Sequence, residues 1–195
     1  MESIVKRDNF AEKNMRNFLL CALILGLCFS NIPFSFSQLK TPPIKWYSFE
    51  EALELAQKSP KKIFIDVYTD WCGWCKKMDA TTFVHDTIVS YINQHFYAAK
   101  LNAERKDTVV INGSTFINPS PNTPRSAHQL AAALLQNRLS YPSFVFLNEE
   151  GQMISVVPGY MVPQAFEPVL HYFGDNSYLN QKWEEFKLSF KGTIE

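Results

Sequence analysis

Residues Ile63–Met78 read IFIDVYTDWCGWCKKM, with Cys72 and Cys75 flanking Gly73 and Trp74. The run before the cysteines, Lys61–Thr69, is β-branched, aromatic and apolar at nearly every position. That pattern predicts a strand buried on both faces. The residues after Cys72 predict a helix that starts near Gly73 and runs through Lys77 and Met78. The cysteines therefore fall at a strand-to-helix turn. Such a pair can be a structural disulfide, half of a metal site or a redox centre, and the rest of the chain must discriminate.

A chain of 195 residues can bury one sizeable core and is short for two domains. At 46% hydrophobic and 14% aromatic, the composition is that of a globular protein. The formal net charge is zero, so neither a nucleic-acid partner nor an anionic surface is expected.

The start of the chain has the layout of an export signal. NMRNFLLCALILGLCFSNIPFSFSQ carries Arg16, an apolar run from Phe18 to Phe29, then Pro33 and Ser35-Phe36-Ser37. The apolar run is too short to span a bilayer easily. Residues 1–37 are expected to be a signal peptide, with Met15 as an alternative start and cleavage between Ser37 and Gln38. A retained membrane anchor is the competing reading. A lipoprotein is disfavoured, because Leu20 and Leu27 precede Cys21 and Cys28. Residues 38–195 are then a single mature domain.

Removal of the leader takes Cys21 and Cys28 with it and leaves Cys72 and Cys75. An exported domain stapled by disulfides would carry more cysteines closing longer loops. A C-x-x-C bridge constrains little of the unfolded chain. Zinc normally takes four ligands, and His85, His95, His128 and His171 are scattered without ligand spacing. No metal or other cofactor is expected, and the redox reading is favoured. A thiolate at a helix N-terminus is stabilised by the unpaired N–H groups and the helix dipole. Cys72 occupies that place and is the expected attacker of a substrate disulfide. Cys75, three residues on and expected to be the more buried, resolves the mixed disulfide.

Asp66 interrupts the apolar strand six residues before Cys72. A buried carboxylate is costly unless paired or neutral, and burial raises its pKa. Asp66 is the expected proton acceptor for Cys75, against a structural acid. Lys100, in AAKLNAE, is placed to tune it, against a lysine that snorkels to solvent. Pro142 precedes a predicted strand, and on local sequence alone its peptide bond is mostly trans.

Elsewhere, Ser48 and Glu51 form a capping box for a helix ending near Lys58. Asp86 is expected to cap TIVSYINQ, and Phe96–Asn102 is a strand. Thr108–Asn118 reads as a hairpin about Asn112-Gly113, followed by a loop with Pro119, Pro121 and Pro124. Ala127–Asn137 is a predicted helix. SFVFL and MISVV are strands joined by Asn148–Gly151, and PQAFEPVLHYF is a helix. Leu179, Trp183, Phe186 and Phe190 are expected on one face of a last helix. The order β-α-β-α-β, hairpin, α, β-β-α predicts an α/β domain with a mixed sheet.

These motifs resemble the thioredoxin superfamily. IFIDVYTDWCGWCKKM is similar to its strand–WCxxC–helix segment, with Asp66 at the buried acid. AAKLNAE is similar to the next strand, with Lys100 at the buried lysine. SYPSFVFLNEEG and PGY, Pro158–Tyr160, resemble the cis-proline strand and its hairpin. The likeness covers about residues 44–173. WCGWCKKMDATTF further resembles an exported group like the C-terminal domain of the thiol:disulfide interchange protein. The resemblance implies a thioredoxin fold with a central mixed sheet, an inserted hairpin and an extra C-terminal helix. It implies a cis Pro142 facing the dithiol and a substrate groove around Trp71, Gly73, Trp74, Tyr141 and Pro142. Trp74 stands where thioredoxin has proline, which leaves the direction of electron flow open. The implied function is an exported, periplasmic or otherwise extracytoplasmic, thiol–disulfide oxidoreductase. It would act as a reductase of protein disulfides fed by a membrane-bound electron donor. An oxidase or isomerase, or a non-catalytic module binding unfolded clients, are the alternatives.

Overall fold

The computed structural model describes residues 41–194. The expected leader, with Cys21 and Cys28, lies outside the described residues. The fold is built on a five-stranded sheet in the order β1-β3-β2-β6-β7. Its strands are β1 (Trp46–Tyr47), β2 (Lys62–Tyr68), β3 (Phe96–Asn102), β6 (Ser143–Leu147) and β7 (Met153–Pro158). β1, β3 and β2 run parallel, and β6 and β7 are antiparallel additions. The sheet is mixed, as the sequence predicts.

β2 lies at the centre and is buried along all but its last residue. Alternation along the strand sends Ile63, Ile65 and Val67 to one face. There they pack with Phe49, Ala52 and Ala56 of α1 (Phe49–Lys58) and with Leu130, Ala131 and Leu134 of α4 (Gln129–Leu134). Phe64 takes the opposite face, and its ring lies 5.5–6.3 Å from those of Phe83, Phe96, Phe144, Phe146 and Phe166. That second core is closed by α2 (Gly73–Thr81), α3 (Asp86–His95) and α5 (Pro163–Gly174). A two-residue step from Phe64 along β2 reaches Asp66 on this same face.

Local chemistry explains the element ends. The Ser48–Glu51 capping box forms as expected: Glu51 N–H donates to Ser48 Oγ and Ser48 N–H donates to Glu51 Oε2. Among the described residues, β4 (Val109–Ile111) and β5 (Ser114–Phe116) form a separate two-stranded hairpin. Asn112 and Gly113 both take positive φ, 49° and 78°, as a two-residue turn of this hand requires.

Three expectations are corrected. α4 is shorter than Ala127–Asn137. His128 sits outside it as a cap, its Nδ1 accepting from Leu130 N–H and its Nε2 bonded to the Asp107 carbonyl. At the other end Gln136 and Asn137 turn left-handed, with φ of 53° and 62°, which stops a helix. His85, not Asp86, occupies the cap position of α3, and Asp86 is its first residue. Leu179 belongs to a 3-10 turn and is 67% exposed, so it leaves the face of α6 (Trp183–Ser189) that carries Trp183 and Phe186.

Candidate active site

Thr69, Asp70 and Trp71 carry the chain from β2 into α2, and the Cys72 N–H donates to the Thr69 carbonyl. Cys72 is the cap residue of α2, and its Sγ accepts from the Cys75 N–H at 3.0 Å. A sulfur in that position receives the field of the helix N-terminus, where negative charge is favoured. Cys72 and Cys75 are joined as a disulfide, with Cα atoms 5.3 Å apart. The expected difference in burial is absent: Cys72 is 5% exposed and Cys75 4%. The trailing cysteine is distinguished by its place inside the helix, not by exposure.

Asp66 is almost wholly buried. Burial pushes its carboxyl up to about 6, against the pull of Lys100 and with a small push from Asp79. Lys100 Nζ lies 3.1 Å from Asp66 Oδ2 and also pairs with Asp79 Oδ1. The register explains the first contact, because Asp66 and Lys100 are directly opposite in the parallel β2–β3 pair. Asp79 comes from α2, one turn beyond Cys75. Burial alone would lower the Lys100 ammonium, but the two carboxylates outweigh it and hold it above the usual lysine range. The ammonium also lies 5.0, 5.1 and 5.9 Å from the ring centroids of Trp46, Tyr68 and Phe83, which favours its charged form. Asp66 Oδ1 and Thr69 Oγ1 are buried with no hydrogen-bond partner among the described residues.

The antiparallel β2–β6 pair places Ser143 opposite Val67, so Tyr141 and Pro142 lie at the sheet end that carries the dithiol. The Tyr141–Pro142 peptide is cis. The Tyr141 ring meets Trp71 edge-on at 5.9 Å. Trp71 and Trp74 are 51% and 57% exposed. Trp71 Nε1 donates to Glu104 Oε1, and Trp74 lies 5.2 Å from the Tyr160 ring. A side chain at Gly73 would meet nothing within 4 Å, so the turn between the cysteines is open to the surroundings. Among the described residues no group of three or more His, Cys, Asp or Glu is gathered as a metal site.

The structure thus brings Asp66 together with Lys100, Cys72 with Cys75, and Trp71 with Tyr141. Sequence reasoning missed Asp79, although its spacing of four from Cys75 puts it on the same helix face. It also missed Glu104 and Arg125, which reach Trp71 from distant segments, and the contact of Tyr160, read only as the end of a hairpin, with Trp74.

The model of the thioredoxin-like domain matches residues 49–174 of the chain. Spermatogenesis-associated protein 20 of Homo sapiens is 30% identical over 76 residues, which is 38% of this chain and 10% of that protein. The chain therefore spans about a tenth of the length of that curated relative. A DsbH oxidoreductase structure aligns with a TM-score of 0.53 at 16% identity, over 76% of this chain and 96% of that one. A thioredoxin-fold protein from Helicobacter pylori aligns with a TM-score of 0.50 at 20% identity, over 66% and 81% respectively. These two likenesses are of fold. A cysteine pair at disulfide distance on such a fold is the equipment of thiol–disulfide redox chemistry. With the family model covering well over half of its length, the chain belongs to the thioredoxin-like domain family.

Proposed function

We propose that the protein is an exported thiol–disulfide oxidoreductase that reduces disulfides in protein substrates. The observation that carries the reading is the Cys72 sulfur held at the N-terminus of α2 by the Cys75 N–H, with a buried acid on β2, the strand that leads into it. In the reduced protein the Cys72 thiolate attacks a substrate sulfur. An S–S bond forms between them, and the other substrate sulfur leaves as thiolate. Cys75, losing its proton to Asp66, then attacks Cys72 Sγ. That step forms the Cys72–Cys75 bond, and the second substrate sulfur leaves with the electron pair. Lys100 adjusts the proton affinity of Asp66. The peptide of Tyr141 pairs with the substrate backbone in extended form, between the walls made by Trp71, Gly73, Trp74 and Pro142.

The leader-like sequence before Gln38 supports export. Outside the cytoplasm reduced thiol pools are scarce, so the pair needs electrons from another protein, for which a membrane-bound donor is the fitting class. Cys75→Ala tests the mechanism in the native host: it should accumulate mixed disulfides through Cys72, and failure to trap any would remove the resolving role. Cys72→Ser should abolish disulfide reduction. Undiminished function in that variant would favour a binding module. Equilibration with a thiol buffer decides the direction. A potential near about −270 mV fits a reductant, whereas one near about −120 mV would reverse the assignment.

A further inference from the structure

We infer that Arg125 and Lys77 frame the dithiol as a carboxylate-reading pair, selecting polypeptide disulfides whose cysteine is flanked by Asp or Glu. The inference rests on the redox reading of the same site and names its substrate class.

The two exposed tryptophans beside the cysteines each carry a cation on a face. The Arg125 guanidinium lies 5.0 Å from the Trp71 ring centroid. Lys77 Nζ lies 5.1 Å from the Trp74 centroid and 5.2 Å from that of Tyr160. A planar guanidinium fork is the geometry that grips a carboxylate. Among the described residues neither cation belongs to an ion pair. Lys100 is instead neutralised by Asp66 and Asp79, and Lys76, next to Cys75, is exposed. Two further acids, Glu104 and Asp70, lie on the Trp71 side; their partners are neutral N–H donors, so they keep their charge and oppose part of the attraction. Glu104 Oε1 accepts from the Trp71 indole N–H, and Asp70 Oδ2 accepts from the Asn102 amide.

The backbone at Arg125 is held in place, while its exposed side chain reaches the Trp71 ring. Its backbone is left-handed, φ 64°, uncommon for a residue with a side chain. The loop around it hangs on the buried Asn118. That amide donates to the Ser126 and Arg105 carbonyls, and its Oδ1 accepts from Ser126 Oγ and Ser120 N–H. A positioned cation loses less freedom when a carboxylate arrives.

The test compares three matched cystine peptides, with Asp, Ser or Lys flanking the cysteine, as substrates of the reduced full chain. Each exposed ion pair contributes at most about fivefold, so the acidic peptide should lead the neutral one in kcat/KM by about two- to twenty-fivefold at low salt. Added salt should shrink the lead, and Lys77→Gln with Arg125→Gln should abolish it. Equal turnover of the three peptides by the wild type, or a lead that survives the double substitution, overturns the inference. Titration of the tryptophan fluorescence with serine-for-cysteine versions of the peptides reads the same preference without turnover. If no peptide is reduced, this binding arm still decides: preference for the acidic peptide upholds the inference while the redox reading fails, and equal binding overturns it.

Discussion

Asp66→Asn should make the protein more stable at neutral pH while impairing its chemistry. Lifting the Asp66 carboxyl from 3.8 to about 6 costs its ionised form about 3 kcal/mol, at about 1.4 kcal/mol per pKa unit. The folded state binds this proton more tightly than the unfolded chain does. Stability therefore falls as pH rises from about 4 to about 6, and the full cost is present above that window. Asparagine keeps the shape and the neutral state. In urea unfolding of the disulfide form, the variant should match the wild type near pH 3 and exceed it by about 3 kcal/mol at pH 8. The corresponding rise in Tm is roughly 6–12 °C. At pH 7 the attack by Cys75 should slow by about 10²-fold, the low end for loss of a positioned base. A stability difference that is constant with pH, or a variant less stable than wild type at pH 8, would refute the assignment of a costly buried charge.

Three other outcomes follow from the same geometry. Lys100→Met removes the cation that pulls the Asp66 proton affinity down, so the upper end of the pH window of stability loss should move above about 6, as read by the same unfolding series. Gly174→Ala would place a Cβ 2.3 Å from the Tyr91 hydroxyl, which donates to Asp175; overpacking of this kind costs about 1–3 kcal/mol, measurable as a lower urea midpoint. His128→Ala removes the cap of α4 and leaves the Asp107 carbonyl without its ring partner, so a loss of about 1–2 kcal/mol is expected, again by urea unfolding.

The parts legible in the sequence were those written in contiguous residues. β2 and the start of α2 announce themselves because a two-face apolar strand runs directly into Cys72. The Asn112-Gly113 turn is equally local. Asp66 is legible as a charge in an apolar run, and Lys100 as its expected neighbour; the direct pairing follows from the strand register, which no local pattern encodes. The shortened α4 was illegible because Gln136 and Asn137, not glycine, take the left-handed conformation. His128 reads as a helix residue in the sequence, and only the fold supplies the Asp107 carbonyl that its ring meets. The cation on Trp71 comes from Arg125, far along the chain, and only the folded loop brings the two together.

The Asn118 anchor has a consequence for how such a protein diversifies. The disulfide sits at the start of α2, whereas Arg125 belongs to an insert whose hairpin, among the described residues, joins no strand of the central sheet. One buried amide fastens that insert at both ends of residues 119–125. The segment can therefore change sequence while its mooring and the dithiol stay fixed. On the reading proposed above, the share of selectivity carried by Arg125 sits in a segment that can be exchanged without moving the dithiol.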